Sequence, residues 1–273
     1  MPRIMINNQI LHYLDNGNGP VLLFGHSYLW DSSMWQQQIA EFSKEYRCIV
    51  PDLWGHGSSD PLNGTPSIQS MANDHWALIQ ALNIERYSLI GLSVGGMWGV
   101  QLALDHPNEI EKLVIMDSFV GIEASETQQQ YLKMLDIVEK SNTIPLPLIE
   151  QLIPIFLSEV TLENQPSIAA TFRKSLTSLP TENIQTIVAI GRCIFKRKDR
   201  MALLPKLQMP VLVLVGELDQ PRPPHESKQM THIIENAECE IIAKAGHISA
   251  LEQPDEVNKL LRTFLSSIYT SRL

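Results

Sequence analysis

Short apolar runs alternate with longer amphipathic stretches along most of the chain. Most of these runs are continuous, which is typical of strands buried on both faces of a parallel sheet. The first run instead alternates apolar and polar residues, so it predicts a half-exposed strand with His12 in its exposed pattern. The predicted strands span 9–15, 21–24, 47–50, 87–90, 113–116, 211–215 and 240–243.

Apolar residues at helical spacing occupy several of the stretches between these runs. The predicted helices span 68–82, 95–104 and 257–268. Alternation of strands with helices implies right-handed crossovers, and therefore a doubly wound α/β sheet.

One interval, 118–209, departs from this alternation because it contains helical patterns but no strand-like run. A crossover between parallel strands needs only about a dozen residues, and this interval is much longer. The length favours a helical cap inserted into a core made of residues 1–117 and 210–273. An ordinary set of crossover helices is the alternative interpretation.

The composition sets limits on the class of protein. The chain has 273 residues, of which 44% are hydrophobic and 19% are charged, and this suits a globular enzyme rather than a disordered chain. That length is near the upper end of what one hydrophobic core serves. The net charge of −9 offers no basic footprint, so we expect no nucleic-acid partner.

The cellular compartment is predicted from the N-terminus, the longest apolar runs and the cysteines. Residues 1–8 contain no long apolar run and no small-residue cleavage site, so no signal peptide is predicted. The apolar run 210–215 is too short to cross a bilayer. Cys48, Cys193 and Cys239 are far apart and lack metal-binding spacing. We therefore expect reduced thiols, no membrane partner and a cytoplasmic protein.

A glycine-rich turn at 91–95 follows a predicted strand and opens a predicted helix. It reads Gly-Leu-Ser-Val-Gly, the G-x-S-x-G pattern, in which small residues let strand and helix pass close to a sharply turned serine. The turn lifts Ser93 above the sheet at the positive end of the following helix, so Ser93 is predicted to be a nucleophile. The alternative is a glycine-rich turn that contains an incidental serine.

A serine hydroxyl needs a base to remove its proton, and the base needs a group that orients it. His247 lies after the last predicted strand and before the final helix, a loop position that suits a base at the sheet edge. Asp219 follows the strongest apolar run and is the first choice for the orienting acid. Asp117, at the end of the preceding strand, is the second choice.

Acyl transfer places negative charge on the carbonyl oxygen, and preorganised N–H groups must meet that charge. The predicted donors are the N–H of Val94, next to the nucleophile, and the N–H of Tyr28, in the loop after the strand 21–24. His26, in the same loop, is interpreted as a structural residue rather than as a second base.

Two other motifs receive structural interpretations. The segment 51–57 is rich in glycine but lacks the lysine of a phosphate loop, so it predicts a tight turn ordered by Asp52. The basic run 196–200 is interpreted as a solvated face, with a site for a substrate carboxylate as the alternative.

Together these residues resemble the α/β-hydrolase superfamily along nearly the whole chain. Within it the chain is most similar to 3-oxoadipate enol-lactonases and carboxylesterases, through His26-Ser27-Tyr28 and the two prolines after Asp219. Those lactonases carry Asn-Ser-Leu at the three loop positions, and the superfamily's usual His-Gly pair is His26-Ser27 here. The specific matches are 52–59, 91–96, 216–219, 246–247 and 251–254.

The resemblance implies a doubly wound, mostly parallel sheet of eight strands with a helical cap insertion. It also implies a triad in the chain order Ser93, Asp219, His247. We therefore predict a serine hydrolase that cleaves a carboxylic ester or lactone through an acyl-enzyme, with a small-molecule substrate and no metal or organic cofactor.

Two alternatives to this function remain open: a cofactor-free perhydrolase, and a ligand-binding sensor or regulator that keeps the fold. Met134, Leu152 and Phe156 lie on apolar helical faces of the predicted cap, and we expect them to influence chain-length preference. The sequence leaves open whether the chain forms a homodimer.

Overall fold

The computed structural model describes residues 2–267, and within them eight strands form one sheet. The strands are β1 (Arg3–Ile6), β2 (Gln9–Asn16), β3 (Val21–Gly25), β4 (Arg47–Pro51), β5 (Tyr87–Leu92), β6 (Ile110–Met116), β7 (Val211–Gly216) and β8 (Ala237–Ile242). Their order across the sheet is β1-β2-β4-β3-β5-β6-β7-β8. The pairs β1–β2 and β2–β4 are antiparallel and the other pairs are parallel, which confirms the predicted sheet.

Helices lie on both sides of this sheet. They are α1 (Gln36–Phe42), α2 (Ile68–Ala81), α3 (Val94–Asp105), α4 (Ser125–Ser141), α5 (Leu146–Phe156), α6 (Glu159–Asn164), α7 (Pro166–Thr177), α8 (Ile184–Phe195), α9 (Pro224–Ile233), α10 (Ser249–Glu252) and α11 (Pro254–Ser266). Short 3-10 turns add Ser32–Trp35, Thr181–Asn183 and Met201–Lys206. In the core, α1 packs with α11 and α2 packs with α3.

The continuous apolar runs form the middle of the sheet. Every residue of β5 and of β7 is buried, because helices cover both faces of these strands and each has a neighbouring strand on either side. The edge strand β8 differs, since its residues are exposed or half-buried except for Ile242, which is buried. Its charged positions shorten the apolar run, so the sequence predicted only 240–243 for this strand.

Two ends of the chain also differ from the prediction. The sequence pattern contains no strand at β1, a four-residue edge strand in which Met5 is 68% exposed. Such a short strand forms through pairing with β2 and carries little periodicity of its own. The final helix begins three residues earlier than predicted and ends at Ser266, while Ile268 lies outside the described residues.

The prediction that His12 is exposed is wrong. His12 is only 3% exposed, because the turn after β4 folds back over β2. Its backbone N–H donates to Ser59 Oγ at 2.9 Å, and its Nδ1 lies 2.6 Å from Asp52 Oδ2. The alternation of apolar and polar residues in β2 therefore gave the wrong burial for His12, because a turn distant in sequence covers that face of the strand.

The interval between β6 and β7 is helical in the structure. Residues 117–210, all of which are described, contain α4 to α8 and no strand. Apolar residues of these helices line one cavity together with Ser93 and His247. The interval therefore covers the ends of the strands that carry the predicted chemistry.

Candidate active site

Ser93 lies on a sharp turn between β5 and α3, with φ 57° and ψ −116°. Residues other than glycine rarely adopt such angles, so the surrounding structure must hold the turn. Its N–H donates to the Met116 carbonyl at 2.8 Å, and its own carbonyl accepts from Ser118 Oγ at 2.7 Å. A Cβ on Gly91 would lie 2.3 Å from the Gly95 carbonyl oxygen, so the G-x-S-x-G glycines are a steric requirement.

A chain of hydrogen bonds joins the three predicted catalytic residues. His247 Nε2 lies 2.9 Å from Ser93 Oγ, and His247 Nδ1 lies 3.0 Å from Asp219 Oδ2. All three residues are buried. Because a carboxylate only accepts, Nδ1 carries the hydrogen that faces Asp219, and Nε2 is left to accept the Ser93 proton.

The two candidate acids have different partners. Asp219 contacts the imidazole and also accepts the Arg222 N–H at 2.9 Å. Asp117 Oδ1 accepts the Gly216 N–H at 2.8 Å, and its Oδ2 accepts the Ser249 hydroxyl. Burial raises the pKa of Asp117 well above its ordinary value, and the nearby Asp219 charge raises it further. Asp117 therefore ties the end of β7 to the segment after His247, and the bond to the imidazole belongs to Asp219.

The two predicted oxyanion donors are the backbone N–H groups of Val94 and Tyr28. Within the described part of the chain, neither the Val94 N–H nor the Tyr28 N–H forms a hydrogen bond. Both residues are buried, and Tyr28 lines the same cavity as Ser93. The Tyr28 hydroxyl donates to the Ile187 carbonyl at 2.8 Å, so its side chain fastens this loop to α8. Burial raises the pKa of Tyr28, which keeps the hydroxyl protonated.

Two buried histidines hold the loop that carries Tyr28. His26 Nε2 accepts the Leu53 N–H at 2.8 Å, and His56 Nε2 accepts the Leu29 N–H at 3.2 Å. Burial lowers the pKa of His26, and it lowers the pKa of His56 to about 3, so both rings are neutral and able to accept. Leu29 has φ 68°, a left-handed conformation that the bond to His56 helps to maintain.

Asp52 orders the turn that follows it and the start of the 3-10 segment Ser32–Trp35. Its Oδ1 accepts the Ser32 N–H at 2.7 Å, and its Oδ2 accepts the Ser58 N–H at 3.0 Å and faces His12. Burial acts to raise the pKa of Asp52, but the contact with His12, the nearby His26 and the two backbone hydrogen bonds together outweigh burial and lower the pKa. The carboxylate is thus a structural anion that holds the segment after Tyr28 to the turn after β4.

The cavity beside Ser93 is mostly apolar. The helices α4 and α5 contribute Met134, Leu152 and Phe156, the three side chains singled out in the sequence. Tyr131 and Arg222 are its polar members apart from Tyr28, Ser93 and His247. The remaining lining residues are Leu29, Met97, Leu135, Val138, Ile144, Leu148, Ile155, Ile187, Ile194, Phe195 and Pro221.

A buried cluster of charges lies next to this cavity, and the sequence did not reveal it. Arg197 Nη1 donates to Glu123 at 2.7 Å, and Arg222 donates to the other oxygen of the same carboxylate. Glu226 lies 3.4 Å from Arg222. The interpretation of 196–200 as a solvated face is therefore wrong for Arg197, which is buried because Glu123 compensates its charge. No local pattern links residues so far apart in the chain.

Two features are absent from the described residues. No group of three or more histidine, cysteine, aspartate or glutamate side chains in residues 2–267 is arranged to hold a metal ion. In the same residues, no helix combines the length and apolar character needed to cross a membrane.

Comparison with known proteins places the chain among hydrolases. A family model described as alpha/beta hydrolase fold matches residues 20–143 and 150–254. The chain is 26% identical to 3-oxoadipate enol-lactonase 1 of Acinetobacter baylyi over 270 residues, which is 97% of each chain.

Solved structures give the same result. A malate-bound thermophilic esterase from Thermogutta terrifontis matches with a TM-score of 0.89 and 30% identity, over 98% of this chain and 99% of that one. The enol-lactonase from Burkholderia xenovorans LB400 matches with a TM-score of 0.88 and 26% identity, over 97% of this chain and 100% of that one. These similarities extend over both the sheet and the interval 118–209.

Proposed function

The chain belongs to the α/β-hydrolase family, and we propose that it is a serine hydrolase that cleaves a carboxylic ester or a lactone through an acyl-enzyme intermediate. The observation that carries the proposal is the hydrogen-bonded chain from Ser93 through His247 to Asp219. The esterase and the two enol-lactonases that the chain resembles support the choice of an ester or lactone bond.

In the proposed reaction, Ser93 Oγ attacks the carbonyl carbon while His247 Nε2 takes the hydroxyl proton. Negative charge moves to the carbonyl oxygen, where the N–H groups of Tyr28 and Val94 donate. The bond to the alcohol oxygen then breaks, and His247 gives the proton to that oxygen. Water attacks the acyl-enzyme by the same route, which releases the acid and restores Ser93.

The lining of the cavity favours a small or medium-sized, mainly apolar substrate. Most of the side chains that face the cavity are aliphatic or aromatic. Arg222 is the charged residue among the side chains that line the cavity, but Glu123 already pairs with it. An ester with an apolar acyl or alcohol group therefore fits this surface better than a polyanion does.

The test is a screen of p-nitrophenyl esters and of lactones of graded length, with the parent enzyme and Ser93→Ala. We expect Ser93→Ala to lose on the order of 10⁶-fold in turnover. Ser227→Ala is the matched control, because Ser227 is also buried and its hydroxyl has no partner in the described part of the chain. An organophosphonate should add to one serine, Ser93, in the parent enzyme.

Several outcomes would reject this proposal. Labelling at a residue other than Ser93 would remove the nucleophile assignment. Loss of activity in EDTA that a divalent metal restores would point to a metal-dependent reaction. Peroxide-dependent oxidation that exceeds ester turnover would assign a perhydrolase, and tight binding with a single turnover would assign a sensor.

A further inference from the structure

Glu252 is a buried carboxylate that the proposed reaction does not use. It belongs to α10, directly after the histidine loop, and it is 1% exposed. We propose that Glu252 is a positioning residue that fixes His247 relative to the cap. This inference rests on the proposed function, because it assigns to Glu252 the task of holding the base of that reaction.

The two carboxylate oxygens of Glu252 reach in two directions. Oε1 accepts the backbone N–H of Ile248, the residue after His247, at 3.1 Å. Oε2 accepts the backbone N–H of Ser158 at 2.9 Å and the hydroxyl of Thr161 at 2.7 Å, both at the start of α6. The Glu252 side chain thus bridges the loop that carries His247 and the start of α6.

The chemistry of these contacts requires a carboxylate. The Ile248 and Ser158 partners are backbone donors, so both oxygens must accept at the same time. A carboxylate has two accepting oxygens, whereas glutamine has one oxygen and one amide group that only donates. Placing glutamine here would point an NH₂ group at a backbone N–H on one of the two sides. Burying a charge is costly, and the charge-assisted hydrogen bonds offset that cost.

The segment 156–158, which Glu252 holds through Ser158, also contacts His247 directly. The His247 N–H donates to the Phe156 carbonyl at 3.0 Å, and Ser158 Oγ donates to the Lys244 carbonyl at 2.8 Å. A Cβ on Gly246 would lie 2.6 Å from the Ser158 nitrogen, so the two segments touch without a gap. A shift of the segment 156–158 would therefore move the His247 backbone.

Phe156 lies between the segment that Glu252 holds and the cavity in which the substrate is proposed to bind. Its ring lines the cavity, and it lies 5.6 Å, centroid to centroid, from the His247 ring. Misplacing a catalytic group by about 1 Å costs on the order of 10²-fold in rate. Glu252 therefore fixes a distance on which proton transfer depends, although it does not touch the reacting atoms.

The experiment compares the parent enzyme with Glu252→Gln at a temperature well below the melting temperature of both. It measures kcat and KM for one p-nitrophenyl ester and the rate of phosphonate labelling at Ser93. We expect kcat and the labelling rate to fall between about tenfold and 10²-fold, with KM within about twofold. A lower Tm with unchanged kcat and labelling rate per folded molecule would overturn the inference and leave a purely structural role.

Thr161→Val tests the same contact if Glu252→Gln fails to fold, because it keeps the shape of the side chain and removes the hydroxyl that donates to Glu252 and accepts from Ser158 Oγ. We expect a fall in kcat of about two- to fivefold, and an unchanged kcat would overturn the inference. Thr177→Val is the matched control, since that exposed hydroxyl donates within its own helix, to Arg173. Failure of the parent enzyme to label at Ser93 would reject the proposed function itself. Labelling of the parent and of Glu252→Gln at equal rates would reject only this inference.

Discussion

The loops at the strand ends and the helical interval 118–209, which we propose to be a cap, meet at one cavity, yet they contribute different kinds of interaction to it. Buried polar side chains hold the loops, as Asp117 does for Gly216 and His26 does for Leu53. The cap instead presents helices whose apolar side chains line the cavity. Hydrogen bonds are directional and fix one geometry, whereas apolar packing tolerates changes of shape and volume.

This difference predicts which substitutions should change the rate of reaction and which should change substrate selectivity. A change in the loops should alter the geometry of proton transfer and lower turnover on every substrate. A change in an apolar side chain of the cap should alter which substrate fits and leave the chemistry intact. Polar contacts that join the two regions, such as Glu252 with Ser158, are the places where this separation should fail.

The largest effect should come from Asp219. We expect Asp219→Asn to lower turnover on the order of 10⁴-fold, because the imidazole loses both its counter-charge and the acceptor that sets its tautomer. The measurement is kcat for esters of several chain lengths, which should all fall by a similar factor.

Asp117→Asn is the comparison for that variant, since both carboxylates follow buried strands. An amide keeps one accepting oxygen for the Gly216 N–H, but on the other side its NH₂ group would donate to the Ser249 hydroxyl instead of accepting from it. We expect a loss of about 1–3 kcal/mol of unfolding free energy and less than about tenfold in turnover. Reversed effects of the two variants would assign the acid to Asp117.

A medium effect, on selectivity, should come from Leu152, a half-buried residue of α5 that lines the cavity. Leu152→Ala should enlarge the cavity and raise the ratio of kcat/KM for octanoate over acetate about tenfold. Leu132→Ala is the control, because Leu132 is also half-buried in the cap but lies outside the cavity lining. An equal shift in both variants would mean that cap packing, not contact with the substrate, sets the preference.

The parts that could be predicted from the sequence are those with a local signature. The strands β5 and β7 are buried on both faces, so their apolar runs are continuous and easily recognised. Ser93, Asp219 and His247 each follow a strand of the sheet, and a motif or a position marks each of them. The structure brings these three residues together, within the distances of hydrogen bonds.

The parts that could not be predicted depend on contacts between distant segments. His12 is buried because of a turn about forty residues later, which strand periodicity does not contain. The pairing of Glu123 with Arg222 joins two residues that are 99 positions apart. Glu252 was visible as part of a family match, but its role depends on where α6 begins, and nothing near it in the sequence indicates that.

The smallest expected effect is on the pH dependence of stability, and it should come from Glu226. Glu226 lies next to Arg222, which pairs with Glu123 and so forms a second polar contact between the interval 118–209 and the loops. Burial raises the pKa of Glu226 to about 7, with Glu123 acting in the same direction and Arg222 opposing it. Its side chain is 17% exposed, so water screens part of this interaction. The charged form is thus disfavoured in the folded protein compared with the unfolded chain.

The sign of the pH dependence follows from that shift. A raised folded pKa means that the folded state holds the proton more tightly, so the stability due to Glu226 is complete below pH 4.5 and is lost as the pH rises to about 7. Relative to Glu226→Gln, the parent protein should therefore lose unfolding free energy across this range and stay level above it, as measured by urea unfolding at each pH. Glu41→Gln should show the opposite sign at lower pH, because hydrogen bonds from Lys44 and Arg262 lower the pKa of Glu41. If the difference in unfolding free energy between the parent and Glu226→Gln stays constant from pH 4.5 to 8, Glu226 does not change its protonation state in this range and the prediction is wrong.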